Sequence, residues 1–331
     1  MNSFRRSELI DILNEVSAGA SSSNSTVDTE GIIAFDSGRV FSYNGVVASS
    51  CKIDSSEPLR GQYPLTPLLG LLQKLPGDLV TMVCSGNELL ISSGHTHAGL
   101  LALSEENKVP KIHLPEIWGK LQKGTLEALE MAAASASDKT GQSILNFVSV
   151  QKDRVVGCDD ISLTVVTIPK LGSWPLIPAY VVPEILFLNP ILFAVGTGWI
   201  HFVNSKGNTL SCKTAEGKYP DVSKLLEREG TPIKLPKGLT IILDRALVLS
   251  NTRFDEDCRV TISCKKGELT VSGKGDNGWY KESVPFKGTQ TFTLRIHPKH
   301  LQRALKLSAK ATLCETALKL VGDNFTHLVS L

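Results

Sequence analysis

The feature that most restricts what this chain can fold into is an internal repeat. A unit of one amphipathic helix followed by short alternating strands and turns recurs six times along the sequence. Three copies are plainest: Thr66–Leu75, Pro183–Leu188 and Pro298–Leu307 each read as a helix, and each is followed by three strand-like runs. A proline stands near the start of each helix, where the missing N–H costs nothing, and turns such as SGN, SKGN and VGDN divide the strands. The other copies begin with helices over Ser7–Val16, Thr125–Ala134 and Leu239–Leu247. The two series alternate. Arg39, Arg154 and Glu268 hold equivalent places roughly 115 residues apart, a domain-sized period. Connectors at Ser104–Lys111 and Glu227–Pro236 fall where that period needs boundaries, which predicts three domains over 1–106, 110–226 and 233–331. Each places two helices on sheets of about six strands, an α+β class with mainly antiparallel pairing.

Charge restricts function. With 35 Lys+Arg against 33 Asp+Glu the net charge is only +2, so any electropositive site is local rather than global. The 7 cysteines are scattered without a CxxC pair and sit among apolar neighbours, as reduced core residues of a cytoplasmic protein do. The N-terminal MNSFRRSELIDIL lacks the apolar run of a secretory signal, and the apolar stretch Trp174–Val203 is broken by Pro175, Pro178, Pro183 and Pro190. No membrane association is expected.

The last helix has the clearest functional pattern. Lys299, Arg303, Lys306 and Lys310 are spaced 4, 3 and 4 apart and so share one helical stripe, while Leu301, Ala304 and Leu305 face elsewhere. A basic stripe opposite a packed face can touch phosphates without reading bases.

Several segments then resemble the bacterial DNA sliding clamp, the beta subunit of the replicative DNA polymerase III. They are YPDVSKLL at 219–226, DRALVLSN at 244–251, VTISCKKGELTVSG at 260–273, and, in the first third, SELIDILNEVS, AFDSGRVFSYNG and LQKLPGDLVTMVCSGNELLISSG. The resemblance implies a three-domain protomer and a head-to-tail homodimer ring, with twelve helices lining the hole and sheets outside. It implies a non-catalytic processivity factor that needs no cofactor, encircles double-stranded DNA and tethers the replicative polymerase. A clamp-loader ATPase and repair proteins with clamp-binding peptides are the further implied partners. Arg5, Arg6, Lys74, Lys139 and Lys237 join the basic stripe as implied DNA-lining residues. The implied client-peptide groove takes Leu145, the run Cys158–Leu163 with Asp160 and Leu163, then Pro220, Lys224 and Leu225, and the C-terminal Leu328, Val329 and Leu331. The implied dimer contact sets Ala98 and Leu100 against Val248 and Leu249 of the neighbour.

The chain departs from the family in places. The fourth helix, PEILFLN, is nearly uncharged, and the loop Ser17–Thr26 lacks a basic residue. Cys158-Asp159-Asp160-Ile161-Ser162-Leu163 stands where the family reads Thr-Asp-Gly-His-Arg-Leu, and His327-Leu328-Val329-Ser330-Leu331 replaces a Met-Pro-rich end.

Two other readings compete. Asp159 and Asp160, or the acidic run Asp255-Glu256-Asp257, could hold a metal for DNA processing, although adjacent strand residues point to opposite faces. His95 and His97 have no third ligand at metal spacing. Phosphate-loop, nucleophile-elbow and HExxH motifs are absent from the sequence. A structural repeat scaffold without a nucleic-acid role is the remaining alternative.

Overall fold

The structure is a computed structural model that describes residues 2–20, 31–103, 109–137, 143–236, 238–250, 258–287, 290–306 and 310–331. Lys139, Lys237, Leu307, the run Asp255–Asp257 and most of the loop Ser17–Thr26 lie outside the described residues. The chain divides into two compact units, residues 1–126 with 175–216, and residues 127–174 with 217–331.

The first unit runs β1 (Asn2–Arg5), α1 (Arg6–Val16), β2 (Ile32–Asp36), β3 (Arg39–Tyr43), β4 (Val47–Lys52), β5 (Gly61–Pro64), α2 (Leu65–Lys74), β6 (Leu79–Ser85), β7 (Glu88–Ser93), β8 (Thr96–Leu101) and β9 (Gly119–Lys120). α3 (Thr125–Ala133) begins at its edge, and β10 (Phe147–Gln151), β11 (Arg154–Cys158) and β12 (Ser162–Thr167) follow in the second unit. The chain returns to the first unit for β13 (Ile177–Pro178), α4 (Val182–Leu188), β14 (Leu192–Gly196), β15 (Trp199–Val203) and β16 (Thr209–Lys213). The second unit is completed by α5 (Ser223–Leu226), β17 (Gly230–Ile233), α6 (Leu239–Ser250), β18 (Val260–Lys265), β19 (Glu268–Gly275), β20 (Gly278–Pro285), β21 (Phe292–Ile296), α7 (Pro298–Leu305), β22 (Lys310–Cys314), β23 (Ala317–Val321) and β24 (Phe325–Ser330).

Periodicity explains these elements. α1 buries Leu9, Leu13 and Val16, and α2 buries Leu65, Leu68 and Leu72, one stripe on each helix. Strands alternate, so Ile33 and Phe35 of β2 and Val260, Ile262 and Cys264 of β18 point into the cores. Pro183 and Pro298 occupy first-turn positions of α4 and α7, and Asn189 ends α4 in the left-handed conformation at φ 50°. In the first unit α1 and α2 pack with β2, β6 and β7 around Leu13, Ile33, Leu68 and Met82; in the second, α6 and α7 cover Val260, Val271, Leu318 and Val329.

Every sheet is antiparallel. The first unit holds an eight-stranded sheet, β5-β2-β3-β4-β16-β15-β14-β9, and a four-stranded one, β1-β6-β7-β8. The second holds β10-β11-β12-β24-β23-β22-β17 and the four-stranded β20-β19-β18-β21. Each large sheet is a fusion. Cys212 pairs with Val47 where β16 meets β4, and Val329 pairs with Ser162 where β24 meets β12. Division by compactness therefore cuts through the middle repeat and follows these joints instead.

All seven cysteines are free, and six are buried. Burial pushes the Cys51 and Cys212 thiols up to about 12. Among the described residues, no helix is long and apolar enough to cross a membrane.

Candidate functional site

α7 is built so that its charge faces solvent. Pro298 starts the helix after the extended His297, Leu301 and Ala304 are fully buried, and Lys299, Arg303 and Lys306 are exposed. Gln302 fixes its orientation by donating through Nε2 to Asp244 Oδ1 of α6 at 2.6 Å. The expected stripe of four is corrected to three. The helix ends at Leu305, and Lys310 is the first residue of β22, opposite Val321. Helical spacing alone admits Lys310, but pairing of the following apolar residues with β23 draws it into the sheet.

Two arginines of the basic set also hold helix ends together. Arg303 Nη1 donates to the Ala134 carbonyl just past α3 at 3.2 Å, and Arg6 Nη1 donates to the Leu75 carbonyl that ends α2. The last carbonyls of a helix lack intrahelical donors and carry partial negative charge, so a guanidinium there satisfies both. Sequence spacing gave no sign of this second task, because the receiving carbonyls are remote in the chain. Arg5 is exposed, 3.7 Å from Glu8, and Lys74 is exposed at the end of α2.

The residues expected to form the peptide groove all belong to the second unit, and the fold divides them between surface and core. Asp159 closes the β11–β12 hairpin: its Oδ1 accepts from Ile161 N at 2.7 Å, from Ser162 Oγ at 3.1 Å and from Ser162 N. Its carboxylate is therefore a turn-former, and Asp160 beside it is exposed. The Cys158 backbone N–H donates to Tyr219 Oη at 3.0 Å, which ties the hairpin to the segment carrying Pro220. Desolvation is the main cause that drives the Tyr219 phenol far above its ordinary range. Pro220, Lys224 and Leu225 are exposed, and Leu145 in the turn before β10 and Leu331 are half-buried. Leu163 and Leu328 face each other across the β12–β24 joint and are buried, as is Cys158; Val329 lies wholly inside the core under α6 and α7. The exposed and half-buried members are open to solvent, and the buried ones are not.

A further cluster was not foreseen. His327 Nδ1 lies 2.8 Å from Thr164 Oγ1, which lies 2.6 Å from Ser135 Oγ, and the His297 and His300 rings meet edge-on at 4.8 Å. Burial pushes the His300 and His327 imidazoles down to about 4. Isolated histidines carry no periodic signal, so only folding brings them together.

The implied dimer residues lie at open positions. Among the described residues β8 pairs only with β7, and β20 only with β19. Ala98 and Leu100 are half-buried on β8, Leu249 is half-buried at the end of α6, and Val248 is 73% exposed. His95 and His97 are exposed at and after the β7–β8 turn. Among the described residues, no group of three or more His, Cys, Asp or Glu is placed to hold a metal ion.

No family model and no curated protein matches this sequence. Solved structures do match. The DNA polymerase III beta chain of Streptococcus pneumoniae aligns with a TM-score of 0.81 at 18% identity, covering 100% of this chain and 99% of that one. A Pseudomonas aeruginosa sliding clamp bound to griselimycin gives 0.80 at 16% identity, covering 99% and 98%. The Bacillus subtilis sliding clamp gives 0.77 at 16%, again over 99% and 98%. The likeness is one of fold: over its whole length the chain has the sliding-clamp fold seen in DNA polymerase III beta subunits.

Proposed function

We propose that this protein is a DNA sliding clamp, a non-catalytic processivity factor that closes as a head-to-tail homodimer around duplex DNA and tethers a polymerase. In this reading the protomer comprises three repeats, 1–106, 110–226 and 233–331, and acts in the cytoplasm. Lys299 and Lys306, with Arg5, Arg6, Lys74, Arg303, Lys310, Lys139 and Lys237, supply shallow, sequence-independent attraction to phosphates. Leu145, Pro220, Lys224, Leu225 and Leu331 receive client peptides from the polymerase, the clamp loader and repair proteins. A clamp-loader ATPase opens the ring, because a closed ring cannot thread itself onto DNA without ends.

One observation carries the proposal. Strand order makes β8 the counterpart of β16 and β24, and β20 the counterpart of β4 and β12. Those counterparts are joined twice within the chain, β16 to β4 and β24 to β12, whereas β8 and β20 end their sheets. A second copy that pairs its β20 with β8 repeats the same joint, covers both exposed edges and, applied reciprocally, closes a ring. Tethering within such a ring makes each return of the polymerase to its template intramolecular, so processivity arises as effective concentration.

The test combines light-scattering mass with retention on nicked circular DNA, compared with the same DNA linearised, after loading by a clamp-loader complex. A dimer that withstands high salt on circles and runs off linear ends is expected. A monomer, or salt-labile binding indifferent to DNA ends, refutes the proposal.

A further inference from the structure

We propose that Trp279 of one protomer lies opposite Gly99 of the next and covers its bare backbone, so that an aromatic clasp on the outer sheet face fixes the register of the ring-closing joint. The inference rests on the head-to-tail reading above and identifies residues of that joint which the resemblance does not supply.

The internal joints determine the register. On the β20 side, Gly157 of β11 faces Thr164, and Gly273 of β19 faces Tyr280. These two glycines are equivalent by a steric criterion, since each lies beneath the C-terminal end of its repeat's first helix. An added Cβ would stand 1.9 Å from the Ala132 carbonyl oxygen at Gly157 and 1.9 Å from Ser250 Oγ at Gly273. Tyr280 therefore corresponds to Thr164. On the β8 side the hairpin turns give the match: Glu88, Trp199 and Ala317 each open the strand after a two-residue turn, and the residues three further on, Ile91, Phe202 and Leu320, are buried and face Ala98, Leu210 and His327. Ala98 therefore corresponds to His327.

Within the chain Thr164 pairs with His327, Leu163 with Leu328 and Ser162 with Val329. Transferring this register to the open edges sets Ala98 against Tyr280, Gly99 against Trp279, and Leu100 against Gly278. A separate observation agrees on the inner face. The Cβ position of Gly278 lies 3.7 Å from Leu249 Cδ2, so the Leu100 side chain would enter beside an apolar side chain.

On the outer face the two edges are complementary. Exposure alternates along both strands, which directs His97, Gly99 and Leu101 of β8 and Trp279, Lys281 and Ser283 of β20 outward. Trp279 is 70% exposed in the single chain. A groove of about 660 Å³ opens beside the β8 edge, lined by Val83, Leu90, Ser92, His97 and Gly99. Because Gly99 lacks a side chain, the groove reaches the edge itself; an added Cβ would lie 3.3 Å from Glu88 Oε2 and 3.7 Å from Leu90 Cδ2. Directly opposed residues touch, here Trp279 and Gly99, and an indole also reaches the diagonal neighbours, here His97 and Leu101. Aromatic cover over a glycine on an adjacent strand stabilises pairing. The corresponding internal pair, Leu163 with Leu328, is likewise apolar, outward and closed, with 4% and 5% exposure.

The experiment is sedimentation of the full-length protein over a dilution series, for wild type, Trp279→Ala, His97→Ala, Gly99→Val and the pairwise combinations, with thermal melts of each at a concentration where all are monomeric. Trp279→Ala is expected to weaken dimerisation by about tenfold or more. His97→Ala and Gly99→Val should each weaken the wild-type dimer yet add little in the Trp279→Ala background, with the monomer melts unchanged. A wild-type dimer whose dissociation constant is indifferent to Trp279→Ala, or strictly additive losses, overturns the clasp and leaves the ring intact as a proposal. A wild-type chain that stays monomeric throughout overturns the ring and the clasp together.

Discussion

Lys299 and Lys306 on α7 offer the most direct test of how DNA is held. Both are exposed and lie on a helix whose opposite face, Leu301 and Ala304, is completely buried, so truncating them removes charge without disturbing the core. Each phosphate contact contributes about 0.9 to the slope of log affinity against log salt, so the double variant Lys299→Ala/Lys306→Ala should lower that slope by about 1.8. Over a fourfold rise in salt, two such contacts account for about a tenfold change in affinity, which fluorescence anisotropy on a short duplex resolves readily. Arg303→Ala supplies the contrast. It removes one contact from the slope and also the donor on the Ala134 carbonyl, an exposed helix-end interaction of about 0.3–1 kcal/mol. For a unit of this size that corresponds to a fall of about 1–4 °C in Tm, whereas the lysine variants should melt with wild type. An unchanged salt slope in the double lysine variant would refute the assignment of α7 to the DNA surface. A melt lowered by the lysine changes would show that their side chains support the fold instead.

Three further outcomes follow from the packing. Burial holds His327 and His300 at about 4, whereas an unfolded imidazole titrates near 6.5. Between those values the unfolded chain binds protons that the native chain excludes, so stability should decline as pH falls from about 6.5 toward 4, by up to about 3 kcal/mol for His327. Chemical denaturation across that range should show the decline, and His327→Gln, whose amide can still reach Thr164, should remove His327's share of it and leave that of His300. Gly157→Ala would force a Cβ to 1.9 Å from the Ala132 carbonyl oxygen and should cost about 3 kcal/mol or prevent folding, as measured by urea midpoint. Gly70→Ala, inside α2 with nothing within 4 Å of the new methyl, should raise stability by about 0.5–1 kcal/mol, seen as a higher urea midpoint.

The repeat, the α+β class and most helices were legible in the sequence because burial imposes periods of 3.6 and 2 on apolar residues, and turns require Gly, Asn and Asp. Thr125–Ala134 is observed as α3 over Thr125–Ala133, and Pro183–Leu188 as α4 over Val182–Leu188, within the fraying of helix ends. The basic stripe of α7 was visible for the same reason. Its overextension to Lys310 marks where a local rule yields to strand pairing. Contacts between remote residues left no such mark. The arginines that close α2 and α3, the His327–Thr164–Ser135 chain, the Asp159 turn that absorbs a candidate metal ligand, and the separation of buried Val329 from exposed Leu225 all depend on which elements become neighbours. By itself the sequence determined what recurs, since periodicity is a property of neighbouring residues. Only the tertiary structure decided that β16 joins β4 and β24 joins β12 while their counterparts β8 and β20 end their sheets among the described residues, because hydrogen-bond partners across a joint are set by packing over distances at which the chain has no local preference.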